Sequence, residues 1–112
     1  FIEQIAVIGE NQKMPSAIIQ PNFEFCLQWL NEKGISCENN LEKICNQEKL
    51  INQIQKEIDI YNESFAQWEK IKKFKLTPEV WSIEKEHLTP TMKVKRKMIK
   101  EKFKNLVDEI YN

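Results

Sequence analysis

The stretch that decides the fold is residues 2–21, "IEQIAVIGENQKMPSAIIQP". Its first part alternates and is rich in Ile and Val, which predicts a strand over about residues 4–9. Gly9-Glu10-Asn11 is a turn signal. A second strand is expected over 16–21, ended by Pro21, which has no amide hydrogen for a ladder. A connection of about six residues makes the two strands an antiparallel pair.

Helices are expected downstream of that pair. Asn22 is placed to N-cap the segment "FEFCLQWLNEK", with Glu24 near its positive end, and Gly34 is a left-handed stop. Asn40 can cap a short helix carrying Leu41, Ile44 and Cys45. A longer helix is expected over about 47–64, with the stripe Leu50, Ile51, Ile54, Ile58, Tyr61 and Phe65. Beyond it, Ala66, Trp68 and Ile71 either prolong that helix or fold back on it. Two more strand candidates follow, "KFKLTP" at 73–78 and "VWSIE" at 80–84. A loop over 85–93 leads into a last helix over 94–111, whose apolar face is Val94, Ile99, Phe103, Leu106, Val107 and Ile110. The expected fold class is α+β: one small mixed or antiparallel sheet, built from both ends of the chain and covered by helices.

Composition narrows the function classes. At 112 residues with 41% hydrophobic and 10% aromatic content, one folded domain is expected. No apolar run approaches the roughly 20 residues of a membrane span, and "FIEQIAVIGE" lacks the basic start of a signal peptide. Because the sequence opens at Phe1 and passes straight into a strand, we expect residues 1–112 to be one domain of a longer protein. The cysteines, Cys26, Cys37 and Cys45, have spacings of 11 and 8 that fit no common zinc pattern, and they read as inert thiols of a reducing cytoplasm. Trp29, Trp68 and Trp81 read as core or half-buried anchors. The only histidine, His87, has no ligand-spaced companion; no metal site is expected, and the reading is an exposed turn residue. No Ser/His/Asp order, phosphate-binding loop or dinucleotide fingerprint is present.

The zero net charge hides an uneven distribution: residues 70–104 carry 12 basic and 4 acidic side chains. By composition alone the lysines of the last helix, Lys95, Lys97, Lys100, Lys102 and Lys104, are a solvated face. The alternative is a stand-alone module that binds RNA or anionic lipid through residues 93–104. Phe103 lies on the apolar stripe rather than among the charges, which disfavours nucleic acid. Lys93 differs from the others: it follows Thr89-Pro90-Thr91, where Thr91 can cap the next turn, so a stiff loop projects it.

Three segments carry a family resemblance: "IEQIAVIGENQKMPSAIIQPNFE" (2–24), "FAQWEKIKKFKLTPEVWSIE" (65–84) and "LTPTMKVKRKMIKEKF" (88–103). In content and order they resemble the C-terminal domain of the AMP-forming acyl-CoA synthetases, in the long-chain fatty acid branch of the acyl-adenylate-forming superfamily. Residues 25–64 are poorly marked. The most specific segment is the last, which matches the family's closing "LTPT-x-K-x-KR" stretch. The resemblance makes Lys93 the catalytic lysine and aligns Arg96 and Lys97 with the basic pair that follows, in a structural or phosphate-proximal role. One departure stands beside it. Long-chain members commonly have Gly-Glu before Leu-Thr-Pro, where this chain has Glu86-His87.

The resemblance implies a cytoplasmic ligase with peripheral membrane contact. It would join a long-chain fatty acid to the α-phosphate of ATP, then pass the acyl group to CoA. ATP and CoA are substrates, with Mg2+ expected in the full-length enzyme and no cofactor on this fragment. The partner implied is a large N-terminal domain of the same chain, preceding Phe1 together with the hinge; alone, the fragment is expected to be inactive.

Overall fold

A computed structural model describes residues 1–9, 14–66 and 70–111. Strands β1 (Ile2–Ile8) and β2 (Ser16–Pro21) pair antiparallel, with Ile8 opposite Ser16 and Ala6 opposite Ile18. Residues 10–13, and with them the expected turn, lie outside the described residues. Strand β3 (Lys73–Leu76) joins the other side of β2 in parallel, so the sheet is mixed, in the order β1-β2-β3. The fold is α+β, as the pattern of elements predicts.

β2 organises the molecule because all six of its residues are buried. A strand covered on both faces needs apolar residues at successive positions, and "AII" supplies them. Alternation then divides the core into two clusters. Ile18, with Ala6 and Ile8 of β1, packs against Trp81, Leu88, Ile99, Phe103, Val107 and Ile110. Ala17 and Ile19 face the opposite cluster, with Cys26, Leu30, Ile44, Leu50, Ile54, Ile58 and Ile71.

That second cluster is covered by α1 (Phe23–Glu32), α2 (Leu41–Cys45) and α3 (Glu48–Asn62). The Asn22 side chain accepts from the Phe25 amide at 3.2 Å, and Asn40 accepts from Lys43 at 3.1 Å, so both predicted N-caps form. α1 ends as its sequence requires. Gly34 has φ +77°, and the amides of Gly34 and Ile35 donate back to Asn31 and Leu30, satisfying carbonyls the helix leaves free. Of the expected α3 stripe, Leu50, Ile54 and Ile58 are buried, whereas Ile51 and Tyr61 are exposed and Phe65 lies beyond the end of the helix. The helix stops at Asn62, which is buried: its amide group both donates to the Ile71 carbonyl (2.9 Å) and accepts from the Ile71 N–H (3.0 Å). This pair turns the chain back, so Ile71 packs into the core instead of prolonging α3. Trp68 lies outside the described residues.

Two expected elements are corrected. The strand at 80–84 does not form. The Trp81 amide donates to the Gln20 side chain at 2.9 Å, not to a ladder, and residues 82–87 close into a turn. The apolar alternation there puts Trp81 inside but leaves Val80 and Ile83 exposed. The single last helix is two: α4 (Arg96–Lys102) and α5 (Lys104–Tyr111), separated at Phe103. Helical hydrogen bonds enter and leave Phe103 (to Ile99 O, 2.9 Å, and from Val107, 3.0 Å), so the apolar stripe continues across the break. Val94 stays outside the helix because it bridges Leu88. The Tyr111 hydroxyl ties the end of α5 to the hairpin, 2.6 Å from Met14 O, 3.1 Å from Ile8 O and 2.8 Å from the Ser16 hydroxyl.

Among the described residues, no helix is long and apolar enough to cross a membrane. Cys26 and Cys45 are buried and Cys37 is half-buried; all three are free thiols. Burial, reinforced by the neighbouring Cys26 and Glu42, pushes the Cys45 thiol up to about 12. Burial also raises Cys26. Thiols held protonated in this way are poor nucleophiles and poor metal ligands.

Candidate functional site: the Lys93 loop

The segment 88–95 forms a compact loop between the core and the start of α4. Leu88 anchors it, wholly buried, and bridges Val94 antiparallel. Within the bridge the Thr89 amide donates to Lys93 O at 2.8 Å, and the Met92 amide donates to Thr89 O at 2.8 Å, closing a β-turn with Pro90 at its second position. Pro90 sets its own φ for that turn and lowers the entropy lost on ordering it. Met92 then takes φ +66°, a left-handed conformation that turns the chain into Lys93.

The predicted cap is made by a different threonine. The Thr89 hydroxyl, not that of Thr91, accepts from the Lys93 amide at 3.1 Å, while the two hydroxyls sit 3.1 Å apart. A hydroxyl four residues back can reach this amide because the turn folds Thr89 beside it. Lys93 is therefore fixed at both its backbone N–H and its C=O, and its side chain is exposed with no ion pair among the described residues. The rigid part is the backbone, and the free part is the ammonium group. Arg96, Lys97, Lys100, Lys102 and Lys104 are exposed along α4 and the start of α5, and Lys95 is half-buried.

His87 overturns the sequence reading most clearly. Expected to be an exposed turn residue, it has 0% exposure. Its ring lies 6.1 Å from Trp81 and 6.0 Å from Phe103, nearly parallel to both. Nδ1 accepts from the Ser82 amide at 3.1 Å. Nε2 is 3.4 Å from Glu79 Oε1. Burial lowers the pKa of His87; the Glu79 carboxylate opposes that shift, and Lys102 and Lys85 add to it. No sequence signal marks this histidine as buried. Its position follows from Glu86, whose φ of +66° turns the chain inward.

Among the described residues, no three His, Cys, Asp or Glu side chains converge to hold a metal ion.

Comparison with known proteins aligns the whole chain. It is 30% identical over 115 residues to fatty acyl-CoA synthetase B of Dictyostelium discoideum, covering 100% of this chain. It is 30% identical over 112 residues to the long-chain-fatty-acid–CoA ligase FadD15 of Mycobacterium tuberculosis, again over 100% of this chain. The chain is homologous to the long-chain fatty acid CoA ligases. Human long-chain-fatty-acid–CoA ligase 1 is also 30% identical, over 114 residues and 99% of this chain. The homologue spans only a domain-sized part of these relatives, 17%, 19% and 16% of their lengths respectively. No protein-family model and no solved structure matches it.

Proposed function

We propose that this chain is the mobile C-terminal domain of a long-chain fatty acid CoA ligase, and that Lys93 is the residue it contributes to acyl-adenylate formation. The observation that carries the reading is an exposed lysine, without an ion pair among the described residues, at the end of a tightly bonded loop. It occurs in a chain aligned along its whole length with such ligases. In this reading residues 1–112 are one domain, and a larger domain of the same polypeptide binds ATP and the fatty acid.

The physical task is to bring two anions together. At about 4 Å the repulsion between a carboxylate and a phosphate oxygen is about 1 kcal/mol in water, and about 4 kcal/mol at an effective dielectric near 20. A lysine ammonium between them makes that interaction attractive and follows the charge that builds on phosphate oxygens in the transition state. Lysine suits this role as a compact charge on a flexible stem. The fixed loop backbone supplies the positioning, and the exposed side chain reaches across to the other domain. In this reading the domain reorients on a hinge between the two steps, so that Lys93 faces the nucleotide for adenylation and withdraws for thioester formation.

The test is Lys93→Ala in the full-length enzyme. Acyl-AMP formation should fall by roughly 10²–10³-fold, equivalent to ~2.7–4 kcal/mol, as for other single electrostatic stabilisers. Thioester formation from supplied acyl-AMP should persist. Equal loss of both half-reactions would reduce Lys93 to a structural role. The exposed cations of α4 and early α5 support a second reading, a module for an anionic partner, RNA or lipid. That reading requires binding to oligonucleotide or anionic vesicles that weakens steeply with salt and depends jointly on Lys95, Lys97, Lys100 and Lys104.

A further inference from the structure

We infer that His87 is a positioning residue for Lys93, its buried ring and its carbonyl together fastening the base of the loop to the turn beneath it. The inference rests on the reading of Lys93 given above. His87 takes part in three hydrogen bonds, two through its backbone and one through its ring. Its own amide donates to Ser82 O at 3.0 Å, and the Ser82 amide returns a bond to ring Nδ1 at 3.1 Å. The Leu88 amide shares the same Ser82 carbonyl at 3.3 Å. On the other side, His87 O accepts from the Lys95 amide at 2.9 Å. The residues just before and just after the Leu88–Val94 bridge are thus joined through His87, and Lys93 lies inside that closure.

The ring itself sets a chemical condition. A backbone N–H only donates, so Nδ1 must accept, which places the ring proton on Nε2, facing Glu79. Protonation would turn Nδ1 into a second donor against the Ser82 N–H and break the bond. Burial between Trp81 and Phe103 favours the neutral ring, as do Lys85 and Lys102, while Glu79 opposes them. The closure therefore holds while His87 is neutral. Trp81 is in turn fixed to the sheet through Gln20, so the base of the loop is continuous with β2.

Two variants of the full-length enzyme separate positioning from packing. His87→Phe keeps an aromatic ring between Trp81 and Phe103 but removes the acceptor. Acyl-AMP formation should drop roughly 10- to 100-fold, the scale of a displacement of about 1 Å in a reacting group. Its KM for ATP and its conversion of supplied acyl-AMP to thioester should change little. His87→Asn offers an amide oxygen to the Ser82 N–H and should recover most of the lost rate. Wild type should lose acyl-AMP formation along an acid limb below the ordinary histidine value of 6.5, and His87→Asn should lack that limb. If His87→Phe does not fold, the pH profile of His87→Asn decides the question.

The inference is overturned if His87→Phe slows both half-reactions alike, if His87→Asn is as impaired as His87→Phe, or if the acid limb survives in His87→Asn. Lys93→Ala, measured alongside, separates the two levels. If acyl-AMP formation survives that change, the reading of Lys93 fails. If it is lost while His87→Phe is unaffected, only the positioning role fails.

Discussion

The two faces of the sheet are built differently. The face under α1–α3 is a cluster of aliphatic residues and thiols, and its buried amide, Asn62, has both hydrogen bonds satisfied. The face under α4, α5 and the Lys93 loop carries Trp81, His87 and Phe103, and among the described residues Trp81 Nε1 and His87 Nε2 make no hydrogen bond, Nε2 lying 3.4 Å from the Glu79 carboxylate. A buried polar atom left unpaired costs stability. Both faces bury an apolar cluster, but only the second also carries polar ring nitrogens beneath the Lys93 loop.

The largest effect should appear in matched core truncations. Ile54→Ala on the first face and Ile99→Ala on the second should each cost ~2–5 kcal/mol in denaturant unfolding. Only Ile99→Ala, under the loop, should also slow acyl-AMP formation in the full-length enzyme. Equal slowing by both would erase the functional distinction between the faces.

Tyr111→Phe should be milder. It removes the hydroxyl that ties α5 to the hairpin and should cost ~1 kcal/mol, the typical worth of one hydrogen bond. The second face should also respond to pH. The His87 pKa is lowered in the fold, so below pH 6.5 the unfolded chain binds a proton that the folded chain refuses. His87 therefore stabilises the fold above that pH, and the contribution is lost as pH falls through its folded value. Unfolding midpoints measured against pH should show an acid-side decline that His87→Asn reduces. The smallest effect on stability should come from Lys93→Ala, within ~0.5 kcal/mol because the side chain is exposed and makes no ion pair among the described residues. A larger loss would mean that the lysine is part of the fold.

Much of the first face could be read from the sequence. The caps at Asn22 and Asn40 and the stop at Gly34 act within a few residues, and the α3 stripe needs only helical spacing. The stiffness of the Lys93 loop could also be read, since Thr-Pro-Thr is a local turn signal, although the hydroxyl that accepts from Lys93 is that of Thr89. Residues 80–87 could not. Their alternation resembles a strand, yet the partner of Trp81 is Gln20, 61 residues away in sequence. The break at Phe103 was equally hidden, because the apolar stripe runs through it unbroken.

The sequence by itself determined the α+β class, the hairpin, the capped helices and the position of Lys93 on a turn. Each depends on backbone preferences and side-chain spacing within a short window. Only the tertiary structure decided that β3 runs parallel to β2, that Asn62 turns the chain back through Ile71, and that His87 is buried beneath the loop. Those outcomes depend on contacts between distant segments. A polar residue in a turn has the same local signature whether it meets water or, as His87 does, two aromatic rings and one backbone amide.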